Sequence, residues 1–146
     1  KSGVAAIIAL IHDVFIMIAA AALMRTQINS PFVAAVLTII GYSINNTIVV
    51  FDRVRENAKR FGRKMSRAEI TNASIRQTLS RSINTALTTL FTVLALYIFG
   101  VESIKEFTLP IIVGLLAGAY SSIFIAGPVW AVWTEQPAAK KPAAVR

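Results

Sequence analysis

Apolar residues fall along this chain in four long blocks, residues 4–24, 32–51, 83–99 and 109–133, separated by short or strongly charged stretches. A helix needs about 20 apolar residues to cross a hydrocarbon core about 30 Å thick, and each block is near or above that length. The pattern predicts an all-α membrane protein, with four transmembrane helices in a domain spanning residues 1–135. The segment 136–146, rich in Ala, Pro and Lys, reads as a disordered tail. Residues 52–81 contain no proline and read as helix that continues inward from the second span, turns near Phe61-Gly62-Arg63 and resumes. Ser66 followed by Glu69 fits a capping box for the returning helix, so a helical hairpin is expected there. The connections around Asn29-Ser30-Pro31 and Gly100-Val101-Glu102 are short, which makes the first two and the last two spans antiparallel pairs. No internal repeat is visible.

Composition strengthens the membrane reading. Apolar residues make up 55% of the chain and charged residues 15%, with a mean hydropathy of +0.65. The first block follows Lys1 and ends in alanines like a signal peptide, but His12 and Asp13 near its centre argue against cleavage. Lys1 in place of Met fits the remainder of something longer. The absence of cysteine excludes disulfides, iron–sulfur clusters and thiolate sites, and a lone histidine argues against a protein-built metal site.

The net charge of +8 has a topological reading. Arg53, Arg55, Lys59, Arg60, Arg63, Lys64, Arg67, Arg76 and Arg81 are opposed between residues 52 and 81 only by Asp52, Glu56 and Glu69. By the positive-inside rule this connection is cytoplasmic, and an even number of spans then puts both termini inside. The basic Lys140, Lys141 and Arg146 agree, while Arg25, Lys105, Glu102 and Glu106 on the other side cancel. Nucleic-acid binding is not expected, because topology accounts for the charge and no aromatic stacking platform accompanies it.

Polar residues within the spans carry the candidate chemistry, since lipid-facing positions should be apolar. Thr38, Tyr42 and Asn46 recur at i, i+4 steps in the second span, accompanied by Ser43, Asn45 and Thr47. Arg81, Thr85, Thr88, Thr89 and Thr92 form a comparable stripe in the third. The two stripes either line one shared interior path or hydrogen-bond helices together, the latter worth about 0.6 kcal/mol per bond. Arg81 either has a partner or snorkels to water. Asp13 is the sharpest signal: nine residues after Val4, it lies roughly 14 Å from the inner boundary, close to the bilayer middle. A carboxylate there is protonated, paired or open to water, which makes it a candidate proton carrier. His12, about 100° around the helix, need not share its site. Gly114 and Gly118 form a Gly-x-x-x-Gly pair suited to close helix packing, followed by Ser121 and Ser122. Gly127-Pro128 is expected to kink the last span, with Trp130 and Trp133 in an interfacial aromatic belt.

The run from Gly41-Tyr42-Ser43-Ile44-Asn45-Asn46-Thr47 to Asp52-Arg53-Val54-Arg55-Glu56 resembles the signature of the SecF family, part of the SecDF protein-export motor of bacteria. His12-Asp13-Val14, Arg81-Ser82 with Thr85, Thr88 and Thr89, and Phe107 followed by Gly114 and Ser121-Ser122 agree in order and spacing. The resemblance implies the last four of six helices in an efflux-pump-like bundle of the RND superfamily. It further implies a multi-pass protein of the bacterial inner membrane that works with SecD and uses the proton motive force, with protons as coupling ion and no other cofactor. Its implied role is late, ATP-independent export of unfolded preproteins from the SecYEG channel, with SecA and YajC as further partners. By motif, the family's membrane-embedded Asp falls on Asn46 and its partner Arg on Arg81, with Gly41, Asp52 and Arg53 as structural motif positions. An amide cannot titrate, so Asn46 departs from the pattern. Three explanations stand: an engineered mimic of the protonated acid, a natural variant whose proton route uses Asp13 or a carboxylate of SecD, and a variant with little proton coupling. The rival readings are a structural subunit without proton conduction and a small-molecule exporter of the related superfamily. An enzyme is not expected, because no nucleophile, metal or nucleotide pattern is present.

Overall fold

The computed structural model describes residues 2–62 and 64–134. The tail expected at 136–146 lies outside the described residues. Among the described residues the chain is helical, with α1 at Ser2–Leu23, α2 at Ser30–Phe61, α3 at Arg67–Phe99 and α4 at Glu102–Ser121. A π-helical turn at Ser122–Ala126 then leads into α5 at Gly127–Thr134. Four helices are long and apolar enough to cross a membrane, the fourth being the continuous run Glu102–Thr134.

Local chemistry sets the ends of these helices. Asn29 caps α2, its side-chain oxygen accepting from the Phe32 amide at 3.1 Å, while Pro31 occupies the first turn, where no amide is needed. At the start of α3 the capping box is complete: Ser66 Oγ accepts from the Glu69 amide, and the Glu69 carboxylate accepts from the Ser66 amide at 2.7 Å. Both α2 and α3 run well beyond their apolar blocks, because capping and propensity, not hydropathy, decide where a helix stops. α2 ends at Phe61 and α3 begins at Arg67, and the two helices pack against each other. Between them Asn57 Nδ2 donates to Ser74 Oγ at 2.8 Å and to Gln77 Oε1 at 2.9 Å.

Pro128 has no amide to offer the carbonyl of Phe124, four residues back. The last span meets this by widening into the π turn at Ser122–Ala126, immediately before Gly127-Pro128. The sequence predicts a kink at Gly127-Pro128; the structure has a π turn directly before it.

The fourth span is the most buried of the four and α3 the least. α4 packs against α1, α2 and α3. Along α1 every fourth residue faces inward, through Ala5, Ala9, Asp13, Met17 and Ala21, while Ile7, Ile11, Phe15 and Ile18 are exposed, as lipid-facing side chains should be. Met17 joins Ala35, Ile39, Val93, Ile111 and Leu115 in one apolar cluster. Ala5 and Ala9 join Phe51 and Ala126 in another. Asp13 stands between the two. Trp130 is not a simple interfacial residue: it packs against this second cluster and against Val50, Val54 and Ile70. Trp133 is exposed.

Candidate functional site: a buried carboxylate between three helices

The Asp13 side chain is completely buried. Its Oδ2 accepts a hydrogen bond from Ser43 Oγ of α2 at 2.5 Å and a second from Ser121 Oγ of α4 at 2.8 Å. Its Oδ1 lies 3.2 Å from His12 Nδ1. Leaving a carboxylate without partners in such surroundings would cost several kcal/mol, and these contacts offset that cost. They also tie three helices together at mid-span.

The backbone explains how the hydroxyls come so close. Gly118 lies opposite the carboxylate, and a Cβ built there would sit 3.6 Å from Asp13 Oδ2 and 3.5 Å from Ser43 Cβ. One turn earlier, a Cβ on Gly114 would fall 2.6 Å from Ile39 Cγ1 and 2.7 Å from Met17 Sδ. The Gly-x-x-x-Gly pair thus serves close packing, as the sequence suggests, and brings Ser121 one turn beyond it to the acid.

The other expected site residues are distributed differently. Asn46 is buried and lines a cavity of about 130 Å³ with Ser82, Ala86, Leu90, Leu115 and Ala119. Ser82 places the neighbouring Arg81 at a similar depth to Asn46, but Arg81 is exposed and does not line this cavity. No side-chain hydrogen bond joins the two among the described residues. Thr85, Thr88 and Thr92 are exposed, and their hydroxyls donate to carbonyls of their own helix at 2.9–3.0 Å. Thr38 does the same with Ala34. Among the described residues the two polar stripes do not line one common cavity. Most of the α3 stripe is exposed, although α3 itself packs against α2 and α4.

Tyr42 is half-buried against the Met17 cluster, and its hydroxyl is the buried side-chain polar atom without a partner among the described residues. Gly41 is exposed with open space where a side chain would be. Asp52 is exposed, and Arg53 holds Gln77 and Glu56, each at 2.6 Å. His12, Ser43 and Ser121 are the residues that sequence reasoning left out of the site. Ser43 and Ser121 were visible as polar residues in apolar spans, but nothing in the order of residues says which way each helix is rotated. Among the described residues no cluster of His, Asp and Glu could hold a metal ion.

Four spanning helices arranged around an internal polar cluster define a multi-pass helical membrane protein. The family described as the C-terminal part of the protein export membrane proteins SecD and SecF matches residues 1–136. The protein translocase subunit SecF of Alicyclobacillus acidocaldarius is 50% identical over 140 residues, covering 91% of this chain and 44% of that protein. Protein translocase subunit SecDF of Bacillus subtilis is 47% identical over 135 residues, covering 91% of this chain and 18% of that protein. A crystal structure of SecDF in a super-membrane-facing form matches with a TM-score of 0.85 at 46% identity, over 90% of this chain and 18% of that one. The chain belongs to the SecD/SecF C-terminal family of protein export membrane proteins. It spans less than half the length of these relatives. They are named translocase subunits, a transport and not a catalytic class, which agrees with the reading that the chain is no enzyme.

Proposed function

We propose that this chain is the membrane portion of an accessory subunit of the Sec translocase that, with SecD, uses the proton motive force to assist late, ATP-independent preprotein export. The protein lies in the bacterial inner membrane with both termini and the basic hairpin cytoplasmic. SecYEG and unfolded preprotein are its working partners, SecA and YajC further ones, and protons the coupling ion. Family membership supports the translocase role. The observation that carries the proton role is Asp13, the one acidic residue within the four apolar blocks, fully buried and joined to α2 and α4 through Ser43 and Ser121. A charged and a neutral Asp13 make different demands on those hydroxyls. Protonation there changes how three helices are held together, as a proton-driven conformational cycle requires.

Asn46 favours a second reading, a structural subunit without proton conduction, since its amide cannot titrate. The exporter alternative has less support, given 46–50% identity to Sec subunits. Preprotein translocation into vesicles, with and without an imposed proton gradient, separates the first two. Asn46→Asp is expected to strengthen the gradient response and Asp13→Asn to abolish what the present chain has. Silence of both substitutions would leave the structural subunit as the better reading.

A further inference from the structure

The last span changes character at the level of Asp13. Ser121, which donates to the carboxylate at 2.8 Å, is the final residue of α4, and the π turn begins at Ser122. Before the turn, Ile111 and Leu115 of α4 are packed into the Met17 cluster. Beyond it, the backbone of Gly127 lies so close to α3 that a Cβ there would fall 2.8 Å from Ile75 Cδ1 and 3.3 Å from Thr71 Cγ2. Trp130 packs on Val50, Val54 and Ile70. α4 is thus seated in one cluster and α5 on the neighbouring parts of α2 and α3, with five residues of π turn between them. A π turn holds one residue more than an α turn and lets a helix bend without breaking into a loop. Opposite it α1 presents Ala5 and Ala9, which carry nothing beyond Cβ to interlock with the turn.

We propose that the π turn is a joint that passes the protonation state of Asp13 to the extensions of α2 and α3 beyond the apolar blocks, residues 52–81. The inference rests on the reading of Asp13 as the titrating group. A charged Oδ2 accepts from Ser43 and Ser121 together and holds the end of α4 against α1 and α2. A neutral acid is the weaker acceptor, because hydrogen bonds to an ionised group are roughly twice as strong. Ser121 is then held less firmly, the turn beside it yields, and α5 moves together with the stretch of α3 that it grips. The titratable side chain in contact with Asp13 is His12 of its own helix, with Tyr120 of α4 beside the imidazole. Tyr42 and Tyr120 are the titratable side chains of residues 30–51 and 107–134, and none of these residues is charged.

The test uses the intact translocase subunit containing this chain, reconstituted in vesicles. Infrared absorption of the protonated Asp13 carboxyl, identified by its loss in Asp13→Asn, marks where the acid takes up its proton. Spin labels then report two distances on either side of that pH. One runs from Gln27→Cys in the first connection to Arg60→Cys at the end of α2, the other from Gln27→Cys to Val101→Cys, between two connections that Asn29 and Glu106 hold together. The first distance is expected to shift with the infrared band and the second to stay fixed. Deleting Phe124 together with Pro128→Ala removes the extra residue and lets the span run as one α-helix, so the band should persist while the shift is lost. Ile75→Ala leaves the turn intact but loosens the grip of α3 on Gly127, and should reduce the shift. A full shift in either variant would overturn the joint and leave Asp13 as the titrating group. So would a first distance that ignores the band, or a shift of both distances together, which would mean that the bundle loosens as a whole. Absence of any pH-dependent band lost in Asp13→Asn would sink the titrating role and the joint together.

Discussion

Ser121 Oγ donates to Asp13 Oδ2 at 2.8 Å across 108 residues of sequence, joining the first span to the last. The same oxygen accepts from Ser43, so one buried atom holds α1, α2 and α4 in register. A contact of this kind is a lock when the acid is charged and a weaker one when it is not. It gives the bundle a chemical reason to hold one arrangement of three helices.

Removing either hydroxyl should loosen that arrangement. Hydrogen bonds to charged groups contribute about 1.5–3 kcal/mol in water-soluble proteins, whereas interhelical bonds in membranes average about 0.6 kcal/mol. Because Asp13 is fully buried and its two donors share one oxygen, Ser43→Ala and Ser121→Ala are each expected to cost about 1–2 kcal/mol. The double variant should cost more than the sum, since the second loss leaves Oδ2 bare. Reversible unfolding in lipid, analysed as a double-mutant cycle, measures the coupling; strictly additive losses below about 0.5 kcal/mol would show that the serines do not hold the acid.

The start of α3 should respond to acid. Hydrogen bonds from the Ser66 backbone amide, and then from its side chain, hold the Glu69 carboxyl below its ordinary value of 4.5. A depressed folded-state value means that this contribution is fully present above 4.5 and is lost as pH falls through the lower folded value. Protection of the amides at residues 67–70, taken as the exchange rate relative to the intrinsic rate at each pH, should fall only as pH drops below 4.5. Glu69→Gln should remove most of that pH dependence, and an unchanged acid response in that variant would count against the capping box as its cause.

Much of this fold is legible from hydropathy and capping residues. The four spans, the Ser66–Glu69 box, the hairpin turn and the glycine pair all depend on local composition, which the order of residues carries directly. Asp13 stands out for the same reason, as a lone carboxylate in an apolar run. Its donors do not, because Ser43 and Ser121 reach it only through the rotation of helices about their axes. Arg81 illustrates the converse: a helical stripe shows that a face is polar, but not which neighbour it meets. The inward packing of Trp130 is equally invisible, since an indole near a span's end looks the same whether it faces a headgroup or a core.

The basic hairpin carries the orientation. Arg60 and Lys64 flank the turn between α2 and α3 and are exposed. With the positive-inside rule, cysteines introduced at either position are expected to react with impermeant thiol reagents only from the cytoplasmic side. Labelling from the opposite side in intact cells would invert the proposed topology. It would leave the Asp13 cluster unaffected.

The glycine pair offers a sharper test of packing, because its two members face different neighbours. A methyl group on Gly114 would overlap Ile39 and Met17, both 1% exposed, so neither side chain can swing into open space. Ile39 is also β-branched and stiff about χ1. Overpacking of this kind costs about 1–3 kcal/mol, more than the gain in helix propensity of about 0.8–1 kcal/mol from replacing Gly with Ala. Gly114→Ala should therefore be net destabilising, by about 1 kcal/mol at the middle of these ranges. At Gly118 the nearest atoms to the new methyl lie at 3.5–3.7 Å, ordinary contact distance, so propensity should win and Gly118→Ala should be neutral or mildly stabilising. That methyl would nevertheless cover the Asp13 carboxylate. Unfolding of the two variants in lipid reads the first difference. The infrared band of protonated Asp13 reads the second, which should shift in Gly118→Ala and stay in place in Gly114→Ala. Equal destabilisation by both substitutions would mean that α4 does not approach α1 and α2 as closely at Gly114 as the structure shows.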